Sequence, residues 1–122
     1  NDFKGFFHFH TVFSDGLNTL EEMRDSAADF GFDYFVVCDH SKSAFYANGL
    51  NEKRILMQQK ELESINKISK HTIYSGIESD ILTDGSLDYK LDTLKMFDFV
   101  VASVHSNFYL SEMDMTDRII KF

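Results

Sequence analysis

The sequence contains no proline, six glycines and only one cysteine. Without proline, the usual breaks between secondary-structure elements are missing, and hydrophobic periodicity is left to define them. The lone Cys38 excludes an internal disulfide, and its apolar neighbours predict a buried strand position. No window approaches the roughly 18 apolar residues of a membrane-spanning helix, and no signal-peptide pattern is present. These absences favour a protein of the reducing cytoplasm that does not enter a membrane.

Basic side chains are also scarce: twelve stand against twenty acidic ones, for a formal net charge of −8. Such a surface repels a phosphate backbone unless metal ions reverse the local potential. The composition, 43% apolar and 15% aromatic, is that of a globular chain, and thirteen phenylalanines predict a well-filled interior. At 122 residues the chain is expected to form one domain.

Apolar periodicity predicts four strand-helix units. The first helix begins with a capping box from Thr19 to Glu22 and ends at Gly31. The first and last strands are so apolar that burial is expected, for the first on both faces. Strict alternation of strands and helices predicts a parallel sheet. The predicted strands are 4–10, 34–39, 72–78 and 97–104, and the predicted helices 19–30, 52–69, 89–96 and 111–122.

Four units are about half of a closed parallel barrel, which typically takes about 250 residues. The last strand would therefore have an unpaired edge. Two explanations are open: the chain is part of a longer barrel, or a partner completes it. A second copy of the chain, in a homodimer, is one such partner.

Four of the five histidines lie at the carboxyl ends of predicted strands, where α/β proteins place their working residues. His8 and His10 are two residues apart, so strand alternation would point both imidazoles the same way. His40, Glu78 and His105 end the other three strands. Imidazole and carboxylate suit Zn²⁺, Mn²⁺ or Fe, and a carboxylate can bridge two ions. Each of these histidines and Glu78, taken alone, more often has no role in metal binding. Their joint position at the ends of successive strands predicts a metal site.

The order of these motifs resembles the polymerase-and-histidinol-phosphatase (PHP) superfamily over nearly the whole chain. Within it, the chain looks most like the PHP domain of bacterial family X DNA polymerases and their stand-alone relatives. The motifs are His8-Phe9-His10 with Ser14-Asp15-Gly16, Asp39-His40-Ser41-Lys42-Ser43, Gly76-Ile77-Glu78, Asp84-Gly85-Ser86-Leu87-Asp88 and Ser103-Val104-His105-Ser106.

The resemblance implies a distorted seven-stranded (β/α) barrel that uses a trinuclear metal site to hydrolyse phosphate esters. Residues 1–122 would be the N-terminal half to two-thirds of that barrel, with its C-terminal part missing. The family's later ligands, a further histidine and a late Asp-x-His, have no counterpart here. Two or three divalent ions are implied: one held by His8, His10 and Glu78, a second by Glu78 and His105, and a third by Asp15 and His40.

Three functions follow as hypotheses. The first is a phosphoesterase that works through bound metal and water, acting on a DNA 3′ end as a 3′-5′ exonuclease beside a fused polymerase domain. The second is a histidinol-phosphate phosphatase or another small-molecule phosphatase. The third is a non-catalytic, metal-stabilised module of a larger protein. Lys42 is predicted to contact phosphate, and Asp80 either to orient a ligand histidine or to cap a turn.

Overall fold

The computed structural model describes residues 2–121, which form a four-stranded parallel sheet flanked by helices. The strand order is β1-β2-β3-β4, so each strand pairs with the next one along the chain. This confirms the predicted α/β class. The elements are β1 Gly5–Phe9, α1 Leu20–Asp29, β2 Tyr34–His40, α2 Glu52–Ile68, β3 Thr72–Asp80, α3 Leu91–Leu94, β4 Phe99–Ser103 and α4 Glu112–Ile120, with a 3₁₀ turn at Phe45–Ala47.

Local side-chain caps start three of the helices. In the predicted capping box, the Glu22 amide donates to the Thr19 hydroxyl, and the Thr19 amide donates to the Glu22 carboxylate. Asn51 and Ser111 cap α2 and α4 in the same way, each accepting from a first-turn amide. These contacts satisfy backbone donors that the helix itself leaves unpaired.

The hydrophobic core lies between one face of the sheet and helices α1 and α2. Phe35 and Val37 of β2 are fully buried against apolar side chains of both helices, among them Leu20 and Leu62. Because successive strand residues alternate, the residues between them point to the opposite, inner face. His40 therefore lies on the inner face, at the carboxyl end of β2.

The sheet is strongly curled. Phe7 of β1 and Phe99 of β4 have ring centroids 5.3 Å apart, although two strands lie between them. Tyr34 and Tyr74 join the same edge-to-face chain of rings on the inner face. The four strands therefore form half of a barrel, as the resemblance implied.

The prediction that the first and last strands are buried is wrong. Phe6 and Phe7 are 44% and 49% exposed, and Phe99 and Val100 are 38% and 37% exposed. Each of these strands is an edge of the described sheet and has a neighbour on one side only. Nor do phenylalanines fill the interior: between residues 2 and 121, those that are buried are Phe35 and Phe97.

The third helix is shorter than predicted, because Tyr89 packs into the core instead of beginning a helix. Its hydroxyl donates to the Leu50 carbonyl and accepts from the Lys42 amide.

The last helix is tied to the sheet by Arg118, a buried arginine that the sequence did not indicate. Its guanidinium donates to carbonyls of the loops that follow β3 and β4. Among residues 2–121, no helix is long and apolar enough to cross a membrane.

Candidate metal centre

Glu78 lies at the centre of a cluster of four histidines at the carboxyl edge of the sheet. Its side chain is only 7% exposed. One carboxylate oxygen, Oε2, lies 3.3 Å from Nε2 of His8, 3.5 Å from Nε2 of His10 and 3.1 Å from Nδ1 of His40. The other, Oε1, lies 3.2 Å from Nε2 of His105. The structure thus brings all the predicted strand-end residues around one carboxylate.

Strand register places two of these side chains together. His40 of β2 is the direct partner of Glu78 in β3, so both project from the inner face at the same level. His105 follows the end of β4 by two residues, and His10 follows β1 by one. The curl of the sheet then brings the outer strands close enough for their imidazoles to reach Glu78.

His8 reaches the cluster by a different route from the one predicted. Both imidazoles face Oε2 of Glu78, as predicted, but strand alternation is not the reason. The pairing of β1 with β2 shifts between Phe7 and Phe9, and His8 has a φ of 70°. A non-glycine residue in this left-handed region costs free energy and is typical of functional sites.

Asp15 joins the cluster from the loop between β1 and α1. Its Oδ1 lies 3.7 Å from Nδ1 of His10 and 3.8 Å from Nε2 of His40. The loop packs closely against the strand end, since a Cβ on Gly16 would lie 2.2 Å from the His10 carbonyl oxygen. A glycine at this position lets the turn approach His10 and carry Asp15 to the site.

Asp39 holds this loop in place, a role that sequence reasoning missed. Its fully buried carboxylate accepts hydrogen bonds from the Thr11 amide at 2.6 Å, the Thr11 hydroxyl at 2.7 Å and the Ser14 hydroxyl at 2.5 Å. A fourth comes from the Gln58 amide of α2, at 2.6 Å. The only signal in the sequence was the position of Asp39 beside His40.

Asp80 orients His105, the first of the two roles predicted for it. The buried Asp80 carboxylate lies 2.7 Å from Nδ1 of His105, and Nε2 of the same ring faces Glu78. A carboxylate that holds one imidazole nitrogen leaves the other free to bind a metal and makes it more basic.

Lys42 points its ammonium group at an acidic partner. Its Nζ lies 2.7 Å from Oε1 of Glu52 and 5.1 Å from the centre of the Tyr89 ring. The structure therefore gives Lys42 contacts with α2 and Tyr89. The predicted metal ligands lie around Glu78, and Asp15 joins them through His10 and His40. Its contact with phosphate stays a prediction.

A family model of the PHP domain matches residues 7–121 of this chain. The chain belongs to the PHP domain family. It is 38% identical over 117 residues to "DNA polymerase/3'-5' exonuclease PolX" of Bacillus subtilis, and the match covers 95% of this chain. It covers 20% of that relative, so the chain spans about a fifth of the relative's length.

The donors of this PHP chain fit metal ions. The ring nitrogens Nδ1 of His10 and His40 are buried and make no hydrogen bond, although Nδ1 of His40 lies 3.1 Å from Oε2 of Glu78. Buried polar atoms without hydrogen bonds are rare, and a bound metal ion would satisfy both nitrogens. Burial, together with the neighbouring His40, holds the pKa of His10 below its usual value, which favours the neutral imidazole that metals need. Three overlapping groups have donor atoms within 4.8 Å of one another: His8, His10 and Glu78; His10, Asp15 and His40; and His40, Glu78 and His105.

These groups differ from the partition that the resemblance implied. His10 and His40 each belong to two groups, as does Glu78, so several donors could be shared between ions. The assignment of each residue to one ion therefore stays a prediction.

Proposed function

We propose that this PHP chain is a phosphoesterase that works through two or three divalent ions of Zn, Mn or Fe. The observation that carries the proposal is the buried Glu78 carboxylate met by four imidazoles. Cations shared between this carboxylate and the imidazoles would offset its buried charge. The proposed ligands are His8, His10, Asp15, His40, Glu78 and His105.

Bound ions at such a site lower the pKa of a water ligand and neutralise charge on phosphoryl oxygens. The chain supplies the geometry. Glu78 stands between the imidazoles, Asp80 fixes the ring of His105, and Asp39 fixes the loop that carries Asp15. Burial raises the pKa of Cys38 to about 12, so this inner-face thiol is protonated and is not the nucleophile.

For the substrate we propose the 3′ end of DNA, supported by the similarity to a protein named as a polymerase and 3′-5′ exonuclease. The same similarity supports a polymerase domain in the parent protein, which we propose as well. A small-molecule phosphatase, for example on histidinol phosphate, is the second candidate, favoured by the net charge of −8. The third is a metal-stabilised module without catalysis, supported by the position of the donors, which come from the ends of all four strands.

We further propose that residues 1–122 are the N-terminal portion of a PHP barrel. The half-exposed aromatic side chains of both edge strands support this, since further strands would cover them. A homodimer that hides the same edges is the alternative. Sedimentation at micromolar concentration separates the two, because a monomer contradicts the dimer.

The first test is metal content per chain, measured by plasma mass spectrometry on tag-free protein purified without chelators. We expect two or three equivalents. In His105→Ala the content should fall, because the variant removes a ligand next to Glu78. His71→Ala is the matched control: His71 lies at the other edge of the sheet, with Nδ1 2.9 Å from the Phe32 carbonyl oxygen. Metal content near zero in the unaltered chain, or equal content in both variants, contradicts the proposed ligand set.

The second test compares substrates on the metal-loaded chain and on a longer parent protein. A 3′-labelled DNA single strand, bis(p-nitrophenyl) phosphate and histidinol phosphate distinguish a nuclease from a small-molecule phosphatase. Hydrolysis that is lost in His105→Ala but kept in His71→Ala supports the phosphoesterase. Metal binding without hydrolysis of any of the three, in the parent protein as well, favours the non-catalytic module.

A further inference from the structure

Two neighbouring aromatic side chains stand exposed beside the metal centre. Phe45 and Tyr46, in the 3₁₀ turn that follows β2, are 89% and 71% exposed. The Tyr46 ring lies 6.2 Å, centre to centre, from the ring of His40. The His40 side chain is only 11% exposed. Tyr46 therefore flanks a proposed metal ligand while leaving most of its own surface to solvent.

The turn that carries Tyr46 is anchored on both sides. Ala44 and Ala47 are 0% and 1% exposed, so the turn is pinned to the core by its small residues. The amides of Ala47 and Gly49 both donate to the Ala44 carbonyl, at 3.0 and 3.1 Å. The Arg54 guanidinium donates to the Asn48 carbonyl at 2.7 Å. The exposed ring is thus presented by a fixed backbone, which lowers the entropy lost on binding.

The charge of the chain makes an aromatic contact the better source of affinity for a nucleotide. With a net charge of −8, the surface offers little attraction to a phosphate backbone. Aromatic rings bind bases by stacking, and every base has a face that can stack. The loop after β4 exposes two more rings, Phe108 at 69% and Tyr109 at 84%, within four residues of His105.

We propose that Tyr46 is a substrate-binding residue whose exposed ring stacks on the nucleobase next to the phosphate ester held at the metal centre. This rests on the proposed phosphoesterase function and narrows its substrate class to nucleotides and single-stranded nucleic acid ends. Histidinol phosphate, which has no nucleobase, would gain less from this contact.

The test measures equilibrium binding by the full chain, so that it does not depend on turnover. The probe is a fluorescein-labelled thymidine oligonucleotide of about eight residues with phosphorothioate linkages, followed by anisotropy. A matched oligonucleotide without bases carries the same charge. The variants are Tyr46→Ala, Tyr46→Phe, which keeps the ring, and Phe30→Ala, which removes a ring of similar exposure, 74%, at the end of α1.

Tyr46→Ala should weaken binding about fivefold or more, while Tyr46→Phe and Phe30→Ala bind as the unaltered chain does. The base-free probe should bind weakly and equally to all four proteins. The Tyr46→Ala ratio should persist between about 50 and about 200 mM salt, because stacking releases no counterions.

Equal binding by Tyr46→Ala, or no binding by the unaltered chain, overturns the inference. Metal content measured on the same samples keeps the two proposals apart. If the protein holds metal but binds the oligonucleotide equally well without the Tyr46 ring, the metal centre stands and the stacking role of Tyr46 is refuted. If the protein holds no metal but its binding of the oligonucleotide depends on Tyr46, the proposed phosphoesterase is refuted and the role of Tyr46 in binding bases stands.

Discussion

Asp39 is the buried group on which the loop of the metal centre depends. We expect Asp39→Ala to destabilise the fold and release the loop that carries Asp15. The carboxylate is fully buried and accepts four hydrogen bonds between 2.5 and 2.7 Å. Its removal leaves the donors of Thr11, Ser14 and Gln58 without an acceptor in the protein interior.

The expected cost follows from those donors. A buried donor left unpaired costs about 1–3 kcal/mol, but the loss of the buried charge recovers part of the sum. We therefore expect the free energy of unfolding to fall by about 3–5 kcal/mol, a large fraction of the total for a small domain. Asp39→Asn should cost far less, about 1 kcal/mol, because the Thr11 hydroxyl and the Gln58 amide can each turn to accept from the new NH₂ group.

Urea unfolding followed by circular dichroism measures both variants. Asp33→Ala is the control, since the Asp33 side chain is 69% exposed and its nearest partner, Nζ of Lys4, is 3.9 Å away. That variant should leave the midpoint unchanged. A loss below about 1 kcal/mol in Asp39→Ala, or equal losses in Asp39→Ala and Asp39→Asn, would refute this account of the loop.

Two further predictions concern Asp80 and Cys38. Asp80→Asn should weaken metal binding about 10- to 100-fold with little loss of secondary structure, because the 2.7 Å contact to Nδ1 of His105 loses its charge. Competition with a chromophoric chelator measures the metal affinity. Unchanged affinity would rule out the orienting role of Asp80. Burial raises the pKa of Cys38 to about 12, above its unfolded value of 9.0. The folded state therefore keeps the thiol proton to a higher pH than the unfolded state does. The contribution of the thiol to stability falls as pH rises from 9 towards 12. At pH 8.5 a thiol reagent should label native protein only as fast as it unfolds and urea-unfolded protein at once; equal rates would contradict the burial.

Much of the fold was readable from local pattern. The capping box at Thr19 was predicted because its two partners are three residues apart, and the structure contains both bonds. The alternation of strands and helices was predicted from apolar periodicity and is confirmed by the parallel sheet. Tyr89 was misplaced in a helix because its burial depends on Leu50, which is distant in sequence.

The sequence by itself determined which chemical groups lie at the carboxyl end of each strand: imidazoles for β1, β2 and β4, and a carboxylate for β3. It determined these because residue type and strand position are local properties. Only the tertiary structure decided that four imidazoles converge on Glu78, because the convergence depends on the curl of the sheet and on the irregular backbone at His8. It also decided the roles of Asp39 and Asp80, because hydrogen bonds between residues 25 or more positions apart exist only once the chain is folded.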